Sequence, residues 1–197
     1  TLLPDASGSI IAGIVITHWD QGILVIDSTG CKIYDNIMSL MNYNGITLEG
    51  NNAANNLIYS NIFQENTVAV NLTSSSTSNT IYKNIITSNN IGLSLESSGH
   101  AIYANTISEN QVGIDISNTN GNIIYHNNFI NNKENAKSAQ YSNAWDNGYP
   151  SGGNYWSDYK GLDEKSGANQ DMLGSDSIGD TQYTIAVNNI DRYPLLQ

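Results

Sequence analysis

Three groups of side chains in this 197-residue chain have the types and spacing to do chemistry. The first is a set of carboxylates, Glu49, Glu96 and Asp115. Hydrolysis of a glycosidic bond needs two carboxyl groups about 5–10 Å apart, one to deliver a proton and one to drive the attack. The second is an acidic run in a glycine-containing stretch, Asp163, Glu164, Asp171, Asp176 and Asp180. A hard cation such as calcium takes several oxygens of this kind. The third is a row of tyrosines, Tyr34, Tyr59, Tyr82, Tyr103 and Tyr125. Aromatic rings aligned on a surface offer apolar area on which sugars can stack. Asn71-Leu72-Thr73 is in addition an acceptor sequence for N-glycosylation in an exported chain.

Whether these groups meet their partners depends on the elements that carry them, and those elements repeat. The tyrosines sit in copies of Ile-Tyr-x-Asn that begin at Ile33, Ile58, Ile81, Ile102 and Ile124, at intervals of 25, 23, 21 and 22 residues. Two residues after each anchor asparagine comes an apolar residue: Met38, Phe63, Ile86, Ile107, Phe129. Five residues after it comes Asn66, Asn89, Asn110 or Asn132, with Met41 as the exception. A third block alternates Ile46-Thr47-Leu48, Val70-Asn71-Leu72, Leu93-Ser94-Leu95 and Ile114-Asp115-Ile116, and a degenerate copy starts at Ile11, Ile14 and Ile16. Alternation with a period of two marks strands with one inward face. Three short strands per unit make one coil, and stacked coils pair each strand with its copy about 4.8 Å away. The expected fold is all-β: a single-stranded right-handed parallel β-helix of about six coils over residues 10–135. Residues 1–9 form a lead-in and residues 136–197 an irregular aromatic cap.

Stacking gives the asparagines a structural role. A turn residue in one coil lies over its copy in the next, so amides can bond along a column. One column is Asn36, Asn61, Asn84, Asn105, Asn127; another is Cys31, Asn56, Asn79, His100, Asn122. The same geometry separates Glu49 from Glu96 by two coils, about 10 Å, with Asp115 on the same sheet. It lines the five tyrosines up over about 19 Å, to be covered by residues 133–160 or a neighbouring chain, or left open as a sugar platform.

Composition narrows the partners. Eighteen carboxylates oppose seven lysines and arginines, for a formal charge of −11, so nothing here neutralises nucleic-acid phosphates. No apolar run reaches the roughly 20 residues that span a bilayer, so direct membrane insertion is not expected. One cysteine, Cys31, allows no internal disulfide.

Beyond Lys133 the composition changes. The segments Gly153-Asn154-Tyr155-Trp156-Ser157-Asp158-Tyr159, Ile178-Gly179-Asp180-Thr181 and Asp191-Arg192-Tyr193-Pro194-Leu195 suit a cap, since a solenoid must cover its open strand edges. The coils resemble the asparagine-rich β-helix repeats of the carbohydrate-binding and sugar-hydrolase superfamily, which includes pectin lyases. The cap resembles that of the NosD-like surface proteins abundant in methanogenic archaea. The resemblance implies secretion and a link to glycans or the cell surface. Lyases of that superfamily use calcium with a lysine or arginine base; here Arg192 lies in the cap motif and Lys32 and Lys83 are scattered. Related caps carry an Asp-Gly-Ile-Gly-Asp core, where this chain has Asp176-Ser177-Ile178-Gly179-Asp180. The NosD name is tied to copper, but His18, His100 and His126 fall in different columns or distant coils, and Cys31 is about 14 Å from His100.

These readings point first to an extracellular or cell-surface structural or adhesive protein. Its partners would be other copies of itself or surface proteins. Contact through the N-terminal coil, which has no cap like the C-terminal one, would propagate into a filament if it ran head to tail. Two alternatives stand beside it: a polysaccharide-binding module using the tyrosines, and a polysaccharide hydrolase or lyase using Glu49, Glu96 and Asp115. The acidic run reads either as a solvated loop or as a calcium site held by Asp163, Asp171, Asp176 and Asp180; no other cofactor is expected.

Overall fold

A computed structural model gives the arrangement of residues 1–116, 119–139 and 142–196. These residues form a right-handed parallel β-helix. Coil 1 holds β1 (Ile10–Ala12), β2 (Val15–Thr17) and β3 (Gln21–Ile26), and coil 2 holds β4 (Lys32–Tyr34), β5 (Ile37–Ser39) and β6 (Asn44–Glu49). Coil 3 holds β7 (Leu57–Tyr59), β8 (Ile62–Gln64) and β9 (Val68–Leu72), and coil 4 holds β10 (Thr80–Tyr82), β11 (Ile85–Thr87) and β12 (Ile91–Leu95). Coil 5 holds β13 (Ala101–Tyr103), β14 (Thr106–Ser108) and β15 (Val112–Ile116), and coil 6 holds β16 (Ile123–Tyr125), β17 (Asn128–Ile130) and β18 (Glu134–Ser138). Each strand pairs in parallel with its copy in the next coil, so three sheets run the length of the solenoid. The register follows the repeat: Ile81 lies between Ile58 and Ile102, and Tyr82 between Tyr59 and Tyr103.

The core is the inward set expected from alternation. The anchor isoleucines, Met38, Phe63, Ile86, Ile107 and Phe129, and the inward pairs of the third sheet are buried. Burial of each such side chain contributes about 1.5–3 kcal/mol. Of the positions expected to face out in the third sheet, Thr47 is buried as well, because the amides of Gln21 and Asn44 fold over it and donate to its hydroxyl at 2.9 and 3.0 Å.

Every coil turns in the same way three times. A residue with positive φ comes immediately before each column residue: Ser60 (54°) before Asn61, Glu65 (55°) before Asn66, Ser78 (54°) before Asn79. This left-handed step swings the following side chain inward, under the neighbouring coil. There are therefore three amide columns, the third being Asn66, Asn89, Asn110 and Asn132 below Met41. The bonding has a direction. Asn61 donates its backbone N–H to Oδ1 of Asn84 in the next coil at 2.9 Å, and its Nδ2 donates to the same oxygen and back to the carbonyl of Ile33.

The segment after β18 continues the coil geometry before it leaves it. Ala144 bridges to Ile123, and β19 (Tyr155–Trp156) adds a seventh strand to the second sheet beside β17. Two antiparallel hairpins complete the cap: β20 (Lys165–Ser166) with β21 (Met172–Leu173), and β22 (Tyr183–Ala186) with β23 (Asn189–Asp191). At the other end, Leu2 bridges to Val25 and covers part of β3, while β1 and β2 are edge strands.

Candidate functional site

The outer face of the first sheet carries the most regular surface feature of the molecule. Because Tyr34, Tyr59, Tyr82, Tyr103 and Tyr125 each follow an inward isoleucine in register, their rings stack with centroids 4.9, 4.9, 5.2 and 5.2 Å apart. Interplanar angles are 13–19°. The rings are half-buried. Burial, then the neighbouring phenols, pushes the hydroxyls of Tyr59, Tyr82 and Tyr125 above the usual tyrosine value. The geometry changes what the row offers. Ring faces close on ring faces, so the ladder presents edges and hydroxyls outward, and a sugar that lies on the row meets those rather than open π-faces. At its C-terminal end the ladder meets the edge of His126, whose Nε2 lies 2.7 Å from the Ser151 carbonyl oxygen.

The three carboxylates lie on the third sheet. Glu49 ends β6, Glu96 follows β12, and both are exposed and two coils apart in register through Thr73. Asp115 stands in the middle of β15 with Lys137 beside it, Nζ to Oδ2 3.8 Å. They lie on or beside strands of one sheet. The neighbouring surface depression, lined by Asn90, Gln111, Val112, Lys133 and Glu134, contains none of them. Asn71 is on the same face, mid-strand in β9, with its Oδ1 buried and without a hydrogen-bond partner. Glycosylation acceptors usually lie on loops.

The acidic run is organised by its own backbone. Asp163 accepts N–H bonds from Asp176 and Ser177 at 3.0 and 2.8 Å. Asp176 accepts from Gly167, Gln170 and Ile178, and Asp180 from Glu164 and Lys165. Asp171 is exposed. Among the described residues no three His, Cys, Asp or Glu side chains are close enough together to hold a metal ion. The spacing that suggested a calcium loop is also the spacing of carboxylates that cap turns.

The histidines and the cysteine are likewise occupied. His100 stands in the amide column as an asparagine would, with Nδ1 accepting from Asn79 N–H at 3.1 Å and Nε2 2.9 Å from Ser97 Oγ. Burial pulls its pKa down to about 4. Cys31 is buried at the top of the same column. His18 pairs with Thr17, on coil 1.

The structure adds residues that the sequence reading passed over. β23 lies across the end of the solenoid, and Asn189 and Asp191 close two of the columns. Asn189 Oδ1 accepts from Asn143 N–H at 3.1 Å and Trp145 Nε1 at 3.0 Å. Asp191 Oδ2 accepts from Asn154 N–H at 2.7 Å and Trp156 Nε1 at 2.9 Å, and its Oδ1 from Tyr193 N–H at 3.1 Å. Burial pushes the Asp191 carboxyl up to about 7, against the pull of those N–H donors. Trp156 is stacked between Phe129 and Tyr183 at 4.4 and 4.3 Å. Behind β23, Asp146 receives a two-pronged bond from Arg192 at 2.6 and 2.9 Å. Burial raises the Asp146 carboxyl, but the bonds from Arg192 and Gly148 outweigh it and hold it below the usual value. The available signal was Asn189-x-Asp191, two acceptors on one face of a strand.

A family model described as Periplasmic copper-binding protein (NosD) matches residues 2–161. No curated protein and no solved structure matches the chain. The matched span takes in all six coils and β19, and stops short of the two hairpins of the cap.

Proposed function

The chain belongs to the NosD family, a periplasmic one, and from that premise we propose that it is an exported, non-enzymatic structural or adhesive scaffold. One observation carries the reading: most of its side chains able to do acid–base or metal chemistry are spent on holding the fold, while Glu49, Glu96 and Asp171 stay exposed. Amides fill the columns, His100 and Cys31 take column positions, and Asp146, Asp163, Asp176, Asp180 and Asp191 accept N–H bonds. The copper named in the family's description does not fit the residues present. His100 has both ring nitrogens bonded inside the column, Cys31 is buried at another level, and His18 and His126 belong to coils 1 and 6. No copper chemistry is derived from them.

Incubation with cell-envelope fragments and with soluble surface polysaccharide, followed by sedimentation and a reducing-sugar assay, tests this. Co-sedimentation without sugar release is the expected result. Release of sugar would overturn the non-enzymatic reading, and protein left wholly in the supernatant would overturn the adhesive one.

A further inference from the structure

The stacked tyrosines on the first sheet carry an activity of a different kind. We propose that the ladder Tyr34–Tyr59–Tyr82–Tyr103–Tyr125 is an oxidative stapling site, at which one-electron oxidants join phenols of successive coils by carbon–carbon bonds. Three observations converge on it. The rings are nearly parallel and in contact along four consecutive steps, with centroids 4.9–5.2 Å apart. They lie on the outer face and are only half-buried, so small oxidants reach them, protons leave to water, and the rings are free to tip outward as they bond. The chain's one cysteine is buried and lies alone, so no disulfide ties coil to coil.

The chemistry balances. Each of two neighbouring phenols loses one electron and its hydroxyl proton, leaving two phenoxyl radicals whose unpaired density lies partly on the carbons ortho to oxygen. Those carbons join, and each then gives up its ring hydrogen as the aromatic system re-forms with the hydroxyl restored. The net loss is two hydrogen atoms per staple, and one molecule of a peroxide takes them up, leaving two of water when the peroxide is hydrogen peroxide. The phenols of Tyr59, Tyr82 and Tyr125, raised above the ordinary tyrosine value, are neutral at neutral pH, so electron and proton leave together. Fixed contact makes the second radical form beside the first, which favours coupling within one molecule over coupling between molecules. An exported protein that meets peroxide thereby gains covalent ties between coils without a thiol.

The test is photochemical oxidation of the dilute full chain with a ruthenium trisbipyridyl sensitiser and persulfate. The chain carries its own control for plain accessibility: Tyr43, outside the ladder, is 62% exposed. The expected product is a monomer on a denaturing gel, lighter by two hydrogens per bond. It should show bityrosyl fluorescence, and its linked peptides should join adjacent members of the ladder. Tyr82→Phe removes two of the four contacts and leaves Tyr34–Tyr59 and Tyr103–Tyr125. Its yield should fall by about half, with circular dichroism confirming an intact fold. The stapled fraction should also unfold at a higher temperature than the untreated chain. Cross-links that run mainly between molecules through Tyr43 would overturn the proposal. So would a folded Tyr82→Phe variant with undiminished yield, or oxidation confined to Trp19 and Met172 with the ladder unlinked.

Discussion

The two ends of the amide columns are built from opposite residue types. At the N-terminal end the first donors are Cys31, Ile14 and Met41, each giving its backbone N–H to an asparagine one coil below. None of the three carries an amide oxygen. At the C-terminal end the last receivers are Asn189, Asp191 and, for the third column, Asn135, which accepts from Asn132 Nδ2 at 3.1 Å. All three carry a side-chain acceptor oxygen, Asn189 and Asn135 in an amide and Asp191 in a carboxylate. The difference follows from the direction of the bonding. Each coil asks the next for an oxygen, so the top of a column receives nothing and can be apolar, whereas the bottom must supply an acceptor or leave buried N–H groups unpaired. An unmade bond of that kind costs about 1–3 kcal/mol per group.

The largest expected effect is one that neither end can rescue. Ile81 is fully buried in coil 4, and Ile81→Asp places a charge between Ile58 and Ile102. An unpaired buried charge exceeds the stability of most domains, so no cooperative thermal transition should survive. Melting like the unaltered chain would refute the inward assignment on which both ends depend.

Next comes the comparison itself. Asp191→Ala leaves the N–H groups of Asn154, Trp156 and Tyr193 without their acceptor, and should cost about 4 kcal/mol or more by the penalty for buried unpaired donors. Ile14→Ala at a column top removes apolar surface that is already 40% exposed and should cost about 1 kcal/mol. Denaturant midpoints of the two variants measure the ratio. Equal losses would mean that the columns have no direction.

The closed end of one column and the middle of another also differ in how they titrate. Asp191 has a folded pKa of about 7 against an ordinary 3.8. The folded chain therefore keeps a proton that the unfolded chain has lost, and the stability linked to it is full below pH 4 and is lost as pH rises through 7. His100, in mid-column, has a folded pKa of about 4 against 6.5. Its contribution is full above pH 6.5 and is lost as pH falls through 4. In the unaltered chain the two slopes oppose each other. Asp191→Asn should leave a stability that rises with pH between 4 and 6.5, and His100→Asn one that falls between 4 and 7. Parallel pH profiles for the two variants would show that neither group carries the slope assigned to it.

Much of this was legible in the sequence, and the reason is the repeat. In-register stacking makes every inward position a copy of the last, so Ile81, Phe63 and Leu93 were readable as core, and two of the three columns as columns. The third was visible as a spacing but not as a column, because Met41 interrupts it and the rule that tops lack oxygens was not available. The cap was opaque for the opposite reason. Asn189 and Asp191 meet Asn143 and Asp191's neighbour Asn154 across 46 and 37 residues, with no repeat to announce it. The bonding of the acidic run was not legible, because spacing places carboxylates near one another but does not fix what they bind: Asp163 accepts from the backbone of Asp176 and Ser177.

The smallest effect concerns the turns that aim the columns. In the column Asn36, Asn61, Asn84, Asn105, Asn127 the residue before the column position is Gly13 in coil 1, but Asp35, Ser60, Lys83, Ala104 and His126 in coils 2 to 6, with φ between 54° and 55°. Left-handed backbone costs a residue with a Cβ about 1–2 kcal/mol. At Gly13 the following residue is Ile14, which lacks a side-chain amide. In the coils below, the following asparagine is bonded above and below, and those bonds hold the strained step in place. Ala104 is the informative member, because it is exposed and alanine has no side-chain group to stabilise the left-handed form. Ala104→Gly removes the strain but adds about 0.4–1 kcal/mol of unfolded-state freedom. The net should be a gain of about 0.5 kcal/mol, a rise of about 1–2 °C in a chain of this size. Ala101→Gly, at the first residue of β13, should instead lower the melting temperature, since there glycine adds freedom and relieves nothing. A fall of the same size in both variants would mean that the turn at Ala104 is unstrained and that the columns aim themselves without it.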